Sequence, residues 1–435
     1  MLIEFTVGNY RSFHEPQTLS MIAAPIKSKN PSLDENTVLQ ISNNPALLTS
    51  TAVYGANASG KSNLIQALAF MKHFVLNSPQ KTEATGGIRV DPFRLSKSTT
   101  QQPSHFEIVF IESGKRYRYG FEATKDRVVT EWLYFVPSIR EARLFEREGD
   151  HITTGDYFKE GRRDLKEKTR PNALFLSVVA QFNGPIAQKL VNWFSKLGII
   201  SGINDVGMMP YTWTQLLEGK HSQAIRQLIC QLDLGIEDIQ AKQTPERPLS
   251  LPDGMPDEQR QALLTLLGGK GERLSVQTLH TQYDDTGTPA GQVEFDLAEH
   301  ESEGTQKLFA LSGPLLDTLQ EGRVLIVDEL DARLHPLMTR EIVSMFNQKS
   351  TNPHGAQLIF NTQDTNLLDN TLFRRDQIWF VEKDQQGASH LYSLAEFKVR
   401  NDKNYERGYV QGQYGAVPYL SHIQTIVSEE YAEEA

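Results

Sequence analysis

The stretch Gly55-Ala56-Asn57-Ala58-Ser59-Gly60-Lys61-Ser62, followed by Asn63, decides how the rest of the chain is interpreted. Its spacing is that of a phosphate loop, with a glycine, four residues and then Gly-Lys-Ser. A short strand-like run, Ser50–Tyr54, precedes it, and apolar residues recur behind it at helical spacing. In that context the backbone N–H groups of the turn and the helix N-terminus attract phosphate oxygens. The sequence therefore predicts a nucleotide-phosphate site at residues 55–63.

Two side chains of the loop have chemistry of their own. The Lys61 ammonium is expected to reach the β- and γ-phosphates of a nucleotide, and the Ser62 hydroxyl is expected to ligate Mg²⁺. A glycine-rich turn that matches this pattern by chance is the alternative, and the flanking strand and helix argue against it. We therefore expect ATP and Mg²⁺ as the ligands.

A second motif is the apolar run Val324–Val327 followed by Asp328 and Glu329. Such a run is typical of a buried parallel strand, and α/β sheets present catalytic groups at the carboxyl ends of their strands. Asp328 is placed to hold Mg²⁺, and Glu329 is placed to orient and deprotonate an attacking water. Paired with a phosphate loop, the two acids predict ATP hydrolysis.

Two further polar segments could face the nucleotide. The segment Glu301–Lys307 begins a predicted helix with small residues, which would make another anion-binding helix end suited to a γ-phosphate. Taken alone it is equally an ordinary helix cap. The strand-like run Gln357–Asn361 leads into Thr362-Gln363-Asp364, where a polar side chain could contact the γ-phosphate or the water.

Composition limits the classes of protein that fit. With 44 basic and 54 acidic residues the net charge is −10, which argues against a protein that coats DNA but leaves a local basic groove open. No apolar run approaches the roughly 20 residues that span a bilayer, and the first residues lack the features of a signal peptide. The single cysteine, Cys230, excludes disulfide scaffolds and thiolate metal sites, and we expect it to be buried in a helix. The sequence predicts a cytoplasmic enzyme.

Hydrophobic periodicity predicts the elements between the motifs. We expect a meander of strands around residues 106–110, 117–121, 128–136 and 143–147, helices within 173–267, and a hairpin of 275–282 with 292–297. Loops are expected at 24–48 and 244–254, and a frayed acidic tail at 428–435.

These elements predict an α/β fold with an interrupted ATPase domain. Its two parts are residues 1–92 and 292–435, and an inserted β-meander and helical lobe occupies 93–291, although part of the meander could belong to the ATPase core. No sustained heptad pattern lies between the phosphate loop and Ser302, so a coiled-coil arm is not expected.

Together, the phosphate loop with its Asn63, the early Asn9–Phe13, the Ser302–Gln306 signature and Asp328–Asp331 resemble ABC-type ATPases of the SMC and RecF class. More narrowly, the chain resembles the RloA-like AAA family ATPases of bacterial defence loci. The stretches that carry this narrower resemblance are Glu301–Leu316, Asp328–Pro336, Gln357–Asp369, Arg374–Glu382 and Tyr405–Leu420. The last of these includes Gly408-Tyr409 and Gln413-Tyr414-Gly415-Ala416-Val417-Pro418.

The resemblance implies a P-loop NTPase of the ABC-ATPase head type that forms a head-to-tail dimer, or a larger homo-oligomer. Two ATP molecules would be sandwiched between protomers, each on Lys61 and Ser62 of one protomer and against Ser302 and Gly304 of the other.

Three more site residues follow from the resemblance. Arg11 would lie near the nucleotide and Asp331 near the dimer interface. ABC-type heads usually carry a switch histidine where this chain has Gln363, so slow or partner-dependent hydrolysis is expected, because glutamine cannot carry a positive charge.

Three functions compete at this point. The first, implied by the resemblance, is a regulatory or sensor ATPase of an abortive anti-phage system that controls a separate effector, a nuclease of RloB type or another kind. The second is a RecF-like or SMC-like DNA-repair ATPase that clamps DNA, which the acidic balance disfavours. The third is the ATPase subunit of a transporter, which the long segment between the motifs disfavours.

Overall fold

The computed structural model describes residues 1–79, 87–203, 206–231, 235–245, 272–400 and 403–418. Its strands are β1 (Leu2–Gly8), β2 (Gln17–Ser20), β3 (Val38–Leu39), β4 (Leu47–Leu48), β5 (Ser50–Tyr54), β6 (Ser104–Glu112), β7 (Lys115–Ala123), β8 (Val128–Phe135), β9 (Ala142–Glu148), β10 (His151–Thr154), β11 (Gly198–Ser201), β12 (Asp238–Pro245), β13 (Glu272–Tyr283), β14 (Pro289–Asp296), β15 (Val324–Asp328), β16 (Gln357–Asn361), β17 (Ile378–Lys383) and β18 (Ser389–Ser393).

Its α-helices are α1 (Pro31–Thr37), α2 (Lys61–Asn77), α3 (Arg163–Lys168), α4 (Phe175–Gln181), α5 (Pro185–Lys196), α6 (Met209–Leu217), α7 (Ser222–Gln231), α8 (Leu297–His300), α9 (Glu303–Glu321), α10 (Pro336–Phe346) and α11 (Tyr405–Val410). Short 3₁₀ helices lie at Thr99–Gln101, Val206–Met208, Thr365–Leu367, Arg375–Gln377 and Leu394–Glu396. No helix among these described segments is long and apolar enough to cross a bilayer.

A six-stranded sheet positions the predicted site. Its strand order is β11-β15-β16-β5-β17-β18, and all neighbours are parallel except β17 and β18. The phosphate-loop strand β5 is buried at every residue and lies between β16 and β17. Because parallel strands end at the same edge, the sheet brings the ends of β5, β15 and β16 together.

A seven-stranded antiparallel sheet has the order β10-β9-β8-β7-β6-β1-β2. It confirms the predicted meander over β6 to β9 and adds β10. Strand β1 pairs with β6, so the meander continues the sheet that the N-terminus begins.

Helix α2 packs on the seven-stranded sheet. Its apolar residues recur at helical spacing as predicted, and Leu64, Leu68, Met71 and Val75 among them are all buried. The Phe74 ring lies 5.4 Å from that of Phe121 on β7, in an edge-on arrangement. Residues of β15 and β16 belong to the same apolar cluster as these side chains, so the helix behind the phosphate loop is anchored in the core.

The chain divides into two compact units. The first comprises residues 1–203, 318–332 and 339–435, and the second comprises 204–317 and 333–338. The second contains the three-stranded antiparallel sheet β12-β13-β14, whose β13–β14 pair confirms the predicted hairpin. The domain boundaries predicted at residues 92/93 and 291/292 stay predictions.

The structure corrects the loop predicted at residues 24–48, which contains α1 and the short β3–β4 pair. The Asn30 side chain accepts a hydrogen bond from the Ser32 amide and Pro31 is the first helical residue, so this part of the run begins a helix.

Two other predictions differ from the structure. Thr244 and Pro245, placed in a loop, end strand β12, where they pair with β13. Cys230 lies on helix α7 as predicted but is half-buried rather than buried. Residues 246–254, the apolar run at 263–267 and the tail at 428–435 lie outside the described residues.

Candidate functional site

The phosphate loop is curled by backbone that only small residues adopt easily. Gly55 has φ +155° and Gly60 has φ +118°. A Cβ on Gly60 would stand 2.3 Å from the Ser389 Oγ and 2.7 Å from the Ser12 Oγ, and one on Gly55 would stand 2.3 Å from the Val381 carbonyl oxygen. The glycines of the motif are therefore required by close contacts as well as by conformation.

Lys61 is the first residue of α2 and is 7% exposed. Its Nζ donates to the carbonyl oxygens of Gly55 at 2.6 Å and Ala56 at 3.1 Å. Burial lowers the pKa of Lys61, while the carboxylates of Glu329, Asp331 and Asp328 act in the opposite direction and raise it. The ammonium group therefore lies within the field of the acids that end β15, as the sheet topology requires.

Asn361, the last residue of β16, organises the acidic pair, and no motif predicted this. It is fully buried. Its amide nitrogen donates to Asp328 Oδ1, and its amide oxygen accepts from the Glu329 backbone N–H. Glu329 itself has φ +55°, a strained value for a residue with a side chain. A polar residue that ends an otherwise apolar strand, next to the Asp-Glu strand, is the signal that could have revealed it.

Gln363 lies at the same edge of the sheet. Its side chain is exposed, and its backbone N–H donates to Asp331 Oδ2 at 3.2 Å. The Tyr54 hydroxyl, at the end of β5, donates to the Asp364 carbonyl oxygen at 3.2 Å. These contacts tie the turn that carries Gln363 to the end of β5 and to the segment that follows β15.

Arg11 lies beside the first turn of α2. Its guanidinium donates to Asn63 Oδ1 at 3.5 Å and lies 5.7 Å from the centre of the Tyr10 ring. Asn63 in turn donates to the Ser12 hydroxyl at 2.8 Å. The loop Asn9–Phe13 thus contacts the phosphate-loop helix, and the role of Arg11 toward a nucleotide stays a prediction.

The signature segment Glu301–Lys307 belongs to the second compact unit. The Ser302 hydroxyl accepts from the Thr305 backbone N–H at 3.1 Å, which caps α9. Ser302 is exposed, and a Cβ on Gly304 would stand 2.8 Å from the Arg333 carbonyl oxygen. Both predicted residues therefore lie at the capped start of α9.

The donor set fits Mg²⁺. Among the described residues no group of three or more His, Cys, Asp or Glu side chains has the arrangement of a metal site. The predicted donors are the Ser62 hydroxyl and the Asp328 carboxylate, both partly accessible. Mg²⁺ prefers such hard oxygen ligands and is usually held by one or two protein groups together with phosphates and waters.

The structure thus places most predicted residues in one unit. The phosphate loop, Arg11, Asp328, Glu329 and Gln363 lie in the first unit, and Ser302 and Gly304 lie in the second. The catalytic, nucleotide-binding and metal-binding roles given to them stay predictions.

Three solved structures are similar to this chain. The SMC head domain from Thermotoga maritima is 14% identical, with 90% of this chain and 98% of that chain covered and a TM-score of 0.38. The Smc head with an extended coiled coil, bound to the C-terminal domain of ScpA from Pyrococcus furiosus, is 12% identical, with 90% and 96% covered and a TM-score of 0.38. The recombination mediator RecF, with ATPrS, is 12% identical, with 90% and 98% covered and a TM-score of 0.34. No curated protein matches the sequence.

A protein-family profile matches residues 50–194 and 254–369, which together are more than half of the chain. Its description is an AAA domain and names the AbiEii toxin and a Type IV TA system. The matched stretches contain the phosphate loop, the signature segment, the Asp-Glu strand and the turn with Gln363. The predicted α/β P-loop ATPase fold is confirmed, and the chain belongs to this family of AAA-domain ATPases.

Proposed function

We propose that the chain is a Mg²⁺-dependent ATP hydrolase that acts as the regulatory subunit of a bacterial anti-phage system. The observation that supports hydrolysis is the arrangement at the carboxyl edge of the six-stranded sheet. There Asn361 contacts the Asp328 carboxylate and the Glu329 backbone N–H, on the strand next to the one that leads into the phosphate loop. The carboxylates of Glu329, Asp331 and Asp328 also raise the pKa of Lys61, against the lowering by burial.

Each of these side chains has a defined task in this proposal. The loop amides and Lys61 bind the ATP phosphates, and Ser62 with Asp328 would hold the metal. Mg²⁺, when bound, supplies neutralisation of the phosphate charge. Glu329 orients the water and accepts its proton at the carboxylate. Asn361 keeps the Asp328 carboxylate and the Glu329 backbone in place through its two amide contacts.

We further propose that a second copy of the chain completes the site. Ser302 and Gly304 lie at a capped helix start where Ser302 is exposed, and the partial positive charge of such a helix start suits the γ-phosphate of a nucleotide bound by the other protomer. Bound ATP would then hold two protomers together in a head-to-tail dimer, and ATP hydrolysis would allow the protomers to separate.

The test of this enzymatic proposal is Glu329→Gln. The amide keeps the size of the side chain but cannot accept the proton, so ATP binding should remain and turnover should fall at least about a hundredfold. The variant should also accumulate as ATP-dependent dimers, measured by light scattering with and without nucleotide. Hydrolysis at the native rate would show that Glu329 has been given the wrong role.

The regulatory part of the proposal depends on a difference in conformation between ATP-bound and ATP-free protomers. If ATP binds one of two conformations more tightly, it shifts the equilibrium toward that conformation. A second protein can then recognise the favoured conformation. The family description names a toxin and a TA system, which fits a chain that works with a second polypeptide. We propose that this effector is encoded nearby and is a nuclease, of RloB type or another kind.

Co-expression with the neighbouring gene under phage challenge tests the regulatory role. Protection should require both genes and should be lost with Lys61→Ala. Full protection by the neighbour alone, or by the pair that carries Lys61→Ala, would rule the regulatory model out. ATP-dependent retention of duplex DNA by the purified chain alone would favour the DNA-clamp alternative instead.

A further inference from the structure

The C-terminal part of the chain contains a motif that ATP chemistry does not use. Gly408-Tyr409 and Gln413–Pro418 lie on and behind helix α11. A Cβ on Gly408 would stand 2.3 Å from the Tyr414 hydroxyl. Gly415, at φ +68°, would place a Cβ 2.5 Å from Glu382 Oε2. The small residues of this motif therefore allow the segment to pack closely on itself and on β17.

Tyr409 connects this segment to the start of the phosphate loop. Its ring lies 5.8 Å from that of Tyr54, the residue before Gly55, and stacks on Phe380 at 5.4 Å. Its hydroxyl donates to the Ala416 carbonyl oxygen at 3.0 Å. Burial raises the pKa of Tyr409 to about 12, against a lowering by a hydrogen bond from the Gly55 backbone amide. Because its hydroxyl is neutral, Tyr409 can donate a hydrogen bond to Ala416 and accept one from Gly55.

Ser389, the first residue of β18, contacts the other end of the loop. It is 1% exposed. Its hydroxyl donates to the Ser59 carbonyl oxygen at 2.5 Å, and its backbone N–H donates to the Ser12 carbonyl oxygen at 2.7 Å. The same hydroxyl occupies the space that a side chain on Gly60 would need. Ser59 and Gly60 immediately precede Lys61, the first residue of α2. By binding the Ser59 carbonyl oxygen, Ser389 fixes the backbone just before this helix and its lysine.

We propose that Ser389 and Tyr409 are positioning residues of the ATP site, which hold the phosphate loop at its two ends. The inference rests on the proposed ATP site and adds the C-terminal part of the chain to it. Neither side chain needs to touch ATP. Each limits how far the loop amides can move, so phosphate binding costs less ordering of the loop.

The test compares single hydroxyl deletions in matched positions. Ser389→Ala removes the hydrogen bond to the Ser59 carbonyl oxygen, and Tyr409→Phe removes the hydroxyl that contacts Ala416 and Gly55. Both variants keep the surrounding packing. Each should raise the Kd and the KM for ATP about two- to twelvefold and leave kcat within about twofold. Ser393→Ala is the matched control for serine, because Ser393 is buried on the same strand but its hydroxyl donates to the Ile378 carbonyl oxygen. Tyr119→Phe is the control for tyrosine, because its buried hydroxyl donates to Glu131.

The controls should lower the melting temperature and leave the Kd for ATP unchanged. Unchanged Kd and KM in both Ser389→Ala and Tyr409→Phe would overturn the inference, whatever their melting temperatures. An equal loss of affinity in the controls would also overturn it, because the effect would then be general destabilisation. If Lys61→Ala binds ATP normally, the proposed function fails. If Lys61→Ala loses affinity for ATP but Ser389→Ala and Tyr409→Phe bind ATP normally, only the positioning inference fails.

Discussion

The phosphate loop and the signature segment each lead into a helix, yet they are supported in different ways. The loop is held from behind by side chains distant in sequence, and Lys61 is 7% exposed. The signature start is capped by its own Ser302, which is exposed. A binding site that one chain completes is expected to be preorganised by that chain. A helix start that is capped by its own serine, with that serine exposed, suits a surface that a second molecule completes.

The first prediction concerns the buried side of this comparison and has the largest expected effect. Lys61→Ala removes the ammonium group proposed to contact the β- and γ-phosphates and should weaken ATP binding about tenfold to over a hundredfold, measured by calorimetry. Lys72→Ala is the control, because Lys72 lies on the same helix but donates to the Leu197 carbonyl oxygen at 2.6 Å. Equal affinity in the two variants would contradict the phosphate-loop assignment.

The second prediction concerns the outward-facing side. Ser302→Asp keeps an oxygen that can cap α9 but adds a negative charge where a γ-phosphate is proposed to bind. ATP binding to the protomer should stay within about twofold, and hydrolysis and ATP-dependent dimers should fall about tenfold or more. Ser302→Asn keeps the cap without the charge, so it should lose less activity. Native turnover in Ser302→Asp would show that this helix start does not meet the nucleotide.

The same comparison explains what could be predicted from the sequence. The phosphate loop and the Asp-Glu strand are local patterns, and their strands, helix and burial follow from a few adjacent residues. Helix α1 differs from the prediction because a run rich in Pro, Asn and Ser is typical of a loop, whereas Asn30 here caps a helix that begins at Pro31. The same residue types are typical of turns and of helix starts, so composition alone does not distinguish the two.

The supports of the site could not be predicted in the same way. Asn361 meets Asp328 across 33 residues of sequence, and Ser389 meets Ser59 across 330. Neither contact leaves a periodic pattern, because each depends on which strands become neighbours in the sheet. The parallel order β15-β16-β5 places Asn361, at the end of β16, next to Asp328 and Glu329 at the end of β15.

The smallest expected effect is at Gln363, which has one feature of each side of the comparison. Like the phosphate loop it belongs to the first unit and lies at the sheet edge, but its side chain is exposed like that of Ser302. Gln363→His should leave ATP affinity within about twofold, because the contact to Asp331 comes from the backbone N–H. The ATPase rate should be kept or raised. Because imidazole gains a proton near pH 6.5, the ratio of variant to native rate should increase as the pH falls from 8 to 6, as more of the side chain becomes cationic. Gln348→His, an exposed change on the first unit away from these strand ends, should show no such trend. A collapse of ATP affinity in Gln363→His would place this residue among those that bind the nucleotide, on the buried side of the comparison.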